Sequence, residues 1–393
     1  MFKPQIQKTR VLITLAIISL LMLYISSHSI VIELAAGYED KIKSAEIMKK
    51  ALQVLRKEVK QRGFIIYEDA DPNYTGLIFN DDSPIRTGSG DLESKITTLK
   101  NNFAALIVDE LMNANISKGD TVAVGMTGSM PGANIALLSA CKAMEVYPVI
   151  ISSLGSSTWG ATNPEFNWID MENMLFQQKI FDYKSVAYSP GGRGDCLRSK
   201  PAPDNLEDGL IKEDSKSKKA HKIFEDKIKK YNATKINYNI NNLNNLYRSI
   251  DKRIKIFESN VSSIKNYSAY INIGGGAASI GVGGKDRLHT PGYLTPKKVL
   301  SQKPNESVTR YFAEQNIPLI HILHIPQLVK GTLPFGGEKK EIGEGKIYKQ
   351  EKYNLIINII ALFVSLGSVV FIGFKSHNQI KKRMQSYEPE SIL

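Results

Sequence analysis

VGMTGSMPGANIAL, Val124 to Leu137, continues an apolar run that begins at Thr121 and leads into a segment with helical patterning. A strand that empties through Gly, Ser, Thr and Pro into a helix is half of a βαβ unit. The other half follows at once, as a helix over about 134–144 and a strand over 148–152. Strand, helix and strand within roughly thirty residues predict parallel pairing through a right-handed crossover.

The pattern recurs downstream. Residues 243–257 have helical spacing, 269–273 read as a strand, a Gly-rich loop follows, and 308–315 and 317–323 read as a second helix and strand. Upstream, 44–61 and 103–112 carry further apolar helix faces. The fold class is therefore α/β, built of Rossmann-like βαβ units, either as two lobes or as one sheet drawn from both segments. Residues 33–196 form the first segment and 243–352 the second. Between them, 197–242 is dense in Lys, Asp and Asn and reads as a solvated insertion without a core of its own.

Two Gly-rich loops at strand ends predict one shared cleft, because open α/β sheets bind ligands beyond the carboxyl ends of their strands. A glycine turn at a helix N-terminus offers free backbone N–H groups and the positive end of the helix dipole, which favours an anion. Gly125, Thr127, Gly128 and Ser129 stand at the first loop, and Gly274, Gly275 and Gly276 at the second. Neither loop is a Walker A or a clean G-x-G-x-x-G, and tight packing alone is a competing reason for the glycines. A third strand end carries Gly155, Ser156 and Trp159, with Glu165, Asp170 and Glu172 nearby as a substrate wall or an acid/base pair, or with Asp170 as a helix cap.

A nucleophile is the rival reading of the opening stretch. Thr127 and Pro131 stand where a G-x-S-x-G elbow needs glycine. Ser129 or Ser156 would need a base, and His289, after the second Gly-rich loop, is the best placed; His321 and His324 read as structural.

The chain ends point to a membrane. Residues 11–32 are mostly apolar behind Lys3, Lys8 and Arg10, as a retained signal anchor would be, and 355–374 form an uncharged run long enough to cross the ~30 Å hydrocarbon core. Lys375, Lys381, Lys382 and Arg383 follow it. Positive residues at both outer ends place the head, 1–10, and the tail, 375–393, in the cytoplasm and the middle across the membrane. Those seven cations account for most of the formal charge of +12, so the charge is no argument for nucleic acid. Two cysteines, Cys141 and Cys196, lack the spacing of a zinc site, and one bridge between them is the most they could form. No metal or cofactor is expected.

Taken together, 124–174, 272–284, 317–335 and 345–348, with Ser152-Ser153-Leu154-Gly155-Ser156-Ser157-Thr158-Trp159-Gly160-Ala161-Thr162-Asn163-Pro164-Glu165-Phe166 as the most specific part, resemble the poly-gamma-glutamate system protein family. Its members are membrane-associated proteins that accompany bacterial poly-gamma-glutamate synthesis. The resemblance implies a place in making, exporting or displaying a capsule at the bacterial cytoplasmic membrane, with poly-gamma-glutamate and the membrane subunits of its synthase as partners. It supplies no reaction. A polymer with one carboxylate per residue would suit the anion cleft, with Lys285 and Arg287 beside the second loop as its cations. An enzyme that trims, transfers or attaches the polymer, and a structural assembly partner of the synthase, are the alternatives.

Overall fold

The computed structural model describes residues 9–80, 82–198, 214–242, 244–281, 290–302 and 305–386. They form two compact units, one comprising the described residues up to Ala35 together with those from Lys349 onward, the other Ala36–Tyr348.

The first unit opens with α1 (Thr9–His28), apolar all round with only Leu15 buried, as a helix facing lipid would be. The expected span of 11–32 is too long at its far end, because Ile30–Leu34 forms strand β1. The helix stops at His28, Ser29 bridges to the strand, and β-branched Ile30, Val31 and Ile32 favour the extended backbone that follows.

In the second unit, α2 (Tyr38–Gln61) buries Ala45, Met48, Leu52, Leu55 and Val59 along one face. After the short strand β2 (Arg86–Gly88), Asp91 caps α3 (Leu92–Thr98) by accepting the Ser94 N–H, and α4 (Asn102–Asn113) follows. The opening stretch is the junction of β3 (Thr121–Thr127) with α5 (Pro131–Met144), which leads to β4 (Tyr147–Ser153) and the two-residue β5 (Ser156–Ser157). Next come α6 (Trp168–Gln177), β6 (Ala187–Ser189), α7 (Ser215–Lys230) and α8 (Asn245–Ser259). The second βαβ region holds β7 (Tyr267–Ile273), α9 (Ala277–Ile280), β8 (Gly292–Leu294), α10 (Pro296–Leu300), α11 (Val308–Glu314), β9 (Leu319–Ile322) and α12 (Ile325–Leu328).

One six-stranded sheet draws on both segments, in the order β6-β4-β3-β7-β9-β8, parallel except for β8. Alternation along the strands gives each face its own core. Val122 and Val124 point to the side where α2, α4 and α5 pack, while Ala123 and Tyr270 join Phe257 of α8 and Phe312 of α11 on the other. Burial on both faces is what a parallel sheet requires. From β3 the chain builds outward through β4 and β6, then crosses back to lay β7 on the opposite side. The sheet therefore changes direction between β3 and β7.

The solvated reading of 197–242 is corrected by α7. Ala220, Phe224 and Ile228 recur every fourth residue on one helix face and pack with Ile85, Leu154, Ile169 and Tyr188 in a third cluster. Lys227 and Lys230 of the same helix reach back to buried Asp170 at 2.6 and 3.4 Å. Asp170 is not the cap of α6, as its sequence position suggested. Asn167 caps it, and Asp170 completes the capping box from the third helical position.

The chain closes in the first unit, with β10 (Lys349–Tyr353) and α13 (Leu355–Gln385). Strands β1 and β10 pair antiparallel from Ile30↔Tyr353 to Leu34↔Lys349. Helices α1 and α13 pack together, and the Ser26 hydroxyl donates to Asn358 Oδ1 at 2.6 Å. Both helices are long and apolar enough to cross a membrane. Their paired inner ends put their outer ends at the same end of the pair. Cys141 and Cys196 are both buried and free, so no bridge joins them.

Candidate functional site

A cleft of about 740 Å³ lies at the carboxyl ends of the strands, where the sheet changes direction. The loops after β3 and β7 both line it, through Thr127 and Ser129 on one side and Gly274, Gly275 and Gly276 on the other. Gly155 and Ser157, after β4, complete the same wall. Residues that sequence spacing set 150 apart thus share one recess because parallel strands deliver their carboxyl ends to one edge.

The glycines divide by what surrounds them. A side chain on Gly125 would strike the Tyr270 hydroxyl and Ser279, and one on Gly128 would stand 2.6 Å from the Leu154 carbonyl. Neither lines the cleft, and both serve close packing of strand and loop. Gly155 is crowded by Thr87 Cγ2 at 2.8 Å, although its backbone faces the recess. Gly274 is held at φ 88 against the Thr127 hydroxyl, a conformation open to glycine and costly for other residues. Gly275 is different. Among the described residues nothing lies within 4 Å of where its Cβ would be. Among the described residues no acceptor takes the N–H of Gly275 or Gly276.

Two other expected contacts move away. The Ser156 hydroxyl is fully buried and turned to the Gly128 carbonyl at 2.9 Å, so it faces the protein and not a ligand. Trp159 packs against the main core and donates its backbone N–H to the Phe79 carbonyl. The acid/base pair also dissolves. Glu165 is exposed, Asp170 is paired with Lys227 and Lys230 of α7, and buried Glu172 accepts from Tyr188 Oη at 2.5 Å and from Ser185 Oγ at 2.9 Å. Arg287, Lys285 and His289 lie outside the described residues.

Helix dipoles contribute less than the sequence implied. The second Gly-rich loop leads into α9, a single turn of four residues, too short for a useful macrodipole. At α5 the first turn is closed off, because Gly132 abuts the Thr98 backbone, with its Cβ position 2.6 Å from the carbonyl carbon.

The cations come from elsewhere. Lys95 of α3 is only 4% exposed, yet it lines the cleft. Its Nζ donates to the Ser129 carbonyl and sits 2.9 Å from Ser157 Oγ. Burial pushes its pKa down to about 8 against the opposing pull of Asp91. Exposed Arg193 lines the same recess, and among the described residues no carboxylate pairs with it. His324, at φ 52, also borders the cleft, whereas His321 is buried with Nδ1 3.0 Å from Asn272 Nδ2.

Ser157 is held from three directions. Its N–H donates to Ser129 Oγ at 3.0 Å, while the flanking Ser156 and Thr158 N–H groups bond to the Ile85 and Gly88 carbonyls. The pairing of β2 with β5 enforces that arrangement. Sequence reading passed over Lys95 and Ser157, since their meeting depends on a contact 62 residues apart. The doubled serine of Gly155-Ser156-Ser157 was the available signal, and it pointed one residue too early.

The chain matches no family model, no curated protein and no solved structure.

Proposed function

We propose that this protein is a membrane-anchored accessory of poly-gamma-glutamate synthesis or export, whose Rossmann-like α/β unit binds anionic gamma-glutamyl units in the cleft between β3 and β7. The observation that carries the reading is the composition of that recess. Unengaged backbone N–H groups at Gly275 and Gly276 and the exposed guanidinium of Arg193 converge there, and planar, bidentate recognition of carboxylate is what guanidinium does best. A cleft of about 740 Å³ has room for several glutamyl residues' worth of side chain.

In this reading α1 and α13 hold the protein in the bacterial cytoplasmic membrane. Lys375, Lys381, Lys382 and Arg383 beyond α13, and Lys3, Lys8 and Arg10 ahead of α1, put both tails in the cytoplasm and the α/β unit outside. Membrane subunits of the polymer synthase are its partners, and its ligand would reach it as the chain emerges.

The test is calorimetric titration of the full chain in detergent with short gamma-glutamyl oligomers, glutamate and phosphate in separate arms. Arg193→Ala is expected to weaken oligomer binding by about 1.5 to 3 kcal/mol, the range for a charge-assisted hydrogen bond. Equal affinity in wild type and variant, or a preference for phosphate alone, would refute the glutamyl assignment.

A further inference from the structure

We infer that Ser157 and Lys95 form a nucleophile and general-base pair, and that the cleft performs acyl transfer on an amide of the carboxylate-bearing ligand it binds. This rests on the cleft reading above and adds a reaction to it.

The geometry comes first. Ser157 Oγ is 2.9 Å from Lys95 Nζ, within the reach a base needs to take a hydroxyl proton. Both groups border an open recess, so a substrate carbonyl can approach the serine. The serine backbone is fixed by β5 pairing and by Ser129 Oγ, and the lysine stem is fixed on α3 between Asp91 and Thr98. Gly90 sits so close that any side chain there would fall 2.9 Å from Ser157 Oγ and 3.0 Å from Lys95 Cε. Its absence leaves the two reacting atoms uncovered.

The two hydrogen bonds at Nζ leave the base role open to the amine once it loses its proton. Neutral Nζ has two N–H donors and one lone pair. In the structure Nζ donates both to the Ser129 carbonyl and to Ser157 Oγ; on deprotonation one N–H stays on the Ser129 carbonyl and the freed lone pair faces the Ser157 O–H. Burial favours that neutral form, and Asp91 is the acidic side chain opposing it; Arg193 and His324 are the other titratable groups around the recess. An ordinary surface lysine, with a pKa near 10.4, would be a poor base at neutral pH.

The reaction balances without any redox partner. As Ser157 Oγ bonds to the amide carbonyl carbon, its proton passes to Lys95 Nζ. The C–N bond then breaks, its electron pair leaves with nitrogen, and Lys95 returns the proton to the departing amine. Water, or an incoming amine, attacks the resulting Ser157 ester; Lys95 takes its proton and passes it to Ser157 Oγ. The products are a shortened chain with a free carboxylate, or a chain joined to a new amine.

The experiment uses full-length protein in detergent and a fluorophosphonate, a reagent that phosphonylates activated serines, with the site read by peptide mass mapping. Ser157 is expected to be the modified residue, and Ser157→Ala to abolish the modification. Lys95→Met should slow it by about 10²-fold or more, the usual contribution of a general base. The wild-type rate should rise with pH through about 8 as Lys95 loses its proton. No modification of Ser157, or a rate flat across that pH range, overturns the proposal, even where Lys95→Met fails to fold. Titration of Ser157→Ala with gamma-glutamyl oligomers separates the two readings. Retained binding with an unreactive wild-type Ser157 leaves the cleft reading standing and removes the catalytic one. A reactive Ser157 without oligomer binding removes the gamma-glutamyl reading and keeps only the nucleophile and base pair.

Discussion

Gly128 and Gly275 show how differently two glycines of one cleft region are constrained. At Gly128 an added Cβ meets the Leu154 carbonyl oxygen at 2.6 Å, and that oxygen belongs to rigid backbone. At Gly275 it meets nothing within 4 Å among the described residues, and the backbone there is not left-handed. Gly128→Val is therefore expected to destabilise the α/β unit by about 1 to 3 kcal/mol, the typical cost of overpacking. Gly275→Val should leave stability unchanged while filling the recess and abolishing oligomer binding. Urea unfolding of both variants beside the titration makes the comparison. A destabilised Gly275→Val would show that this loop is packed against neighbouring residues in solution.

At the scale of elements, α6 carries its charge inward. Glu172 is buried between Ser185 and Tyr188, and burial raises its pKa above the ordinary carboxyl range despite their hydrogen bonds. Below about pH 4.3 the carboxyl is protonated in folded and unfolded chains alike, and its contribution to stability is fully present. As pH rises through the raised folded pKa that contribution is lost, because the unfolded chain releases the proton more readily. Glu172→Gln, which stays neutral, should accordingly show a flatter stability profile than wild type as pH rises above the free carboxyl value. If wild type instead gains on the variant as pH rises, the donors outweigh burial. The elements that were legible in the sequence are those with a strong period. Helices α2, α4 and α5, and strands β3, β4 and β7, follow from apolar spacing alone. Two were hidden for physical reasons. The seven residues of α3 are too few to display a helical period, and α7 buries three apolar residues beneath so many lysines that its composition reads as solvent. The glycine loops, too, were visible as a cleft, but the side chain that enters it, Lys95, is identified only by a tertiary contact.

For the molecule as a whole, the pairing of Leu34 with Lys349 is the feature with the longest reach. Antiparallel partners have Cα atoms about 5 Å apart, so the chain leaves for the α/β unit and returns from it at nearly one point. While that clasp holds, unfolding Ala36–Tyr348 does not release a free chain; it releases a closed ring. A ring of roughly 300 residues has far fewer conformations than a linear chain, and the chain-entropy treatment of cross-links puts the difference near 5 to 6 kcal/mol. The unit cut out as Ala36–Tyr348 should thus unfold at lower urea than the same unit with its ends joined by a short peptide. A midpoint shift of zero would show that the unfolded chain is already compact enough to make closure costless. The clasp in this sense acts as a noncovalent counterpart of a disulfide, in a protein whose two cysteines are both buried and unbridged.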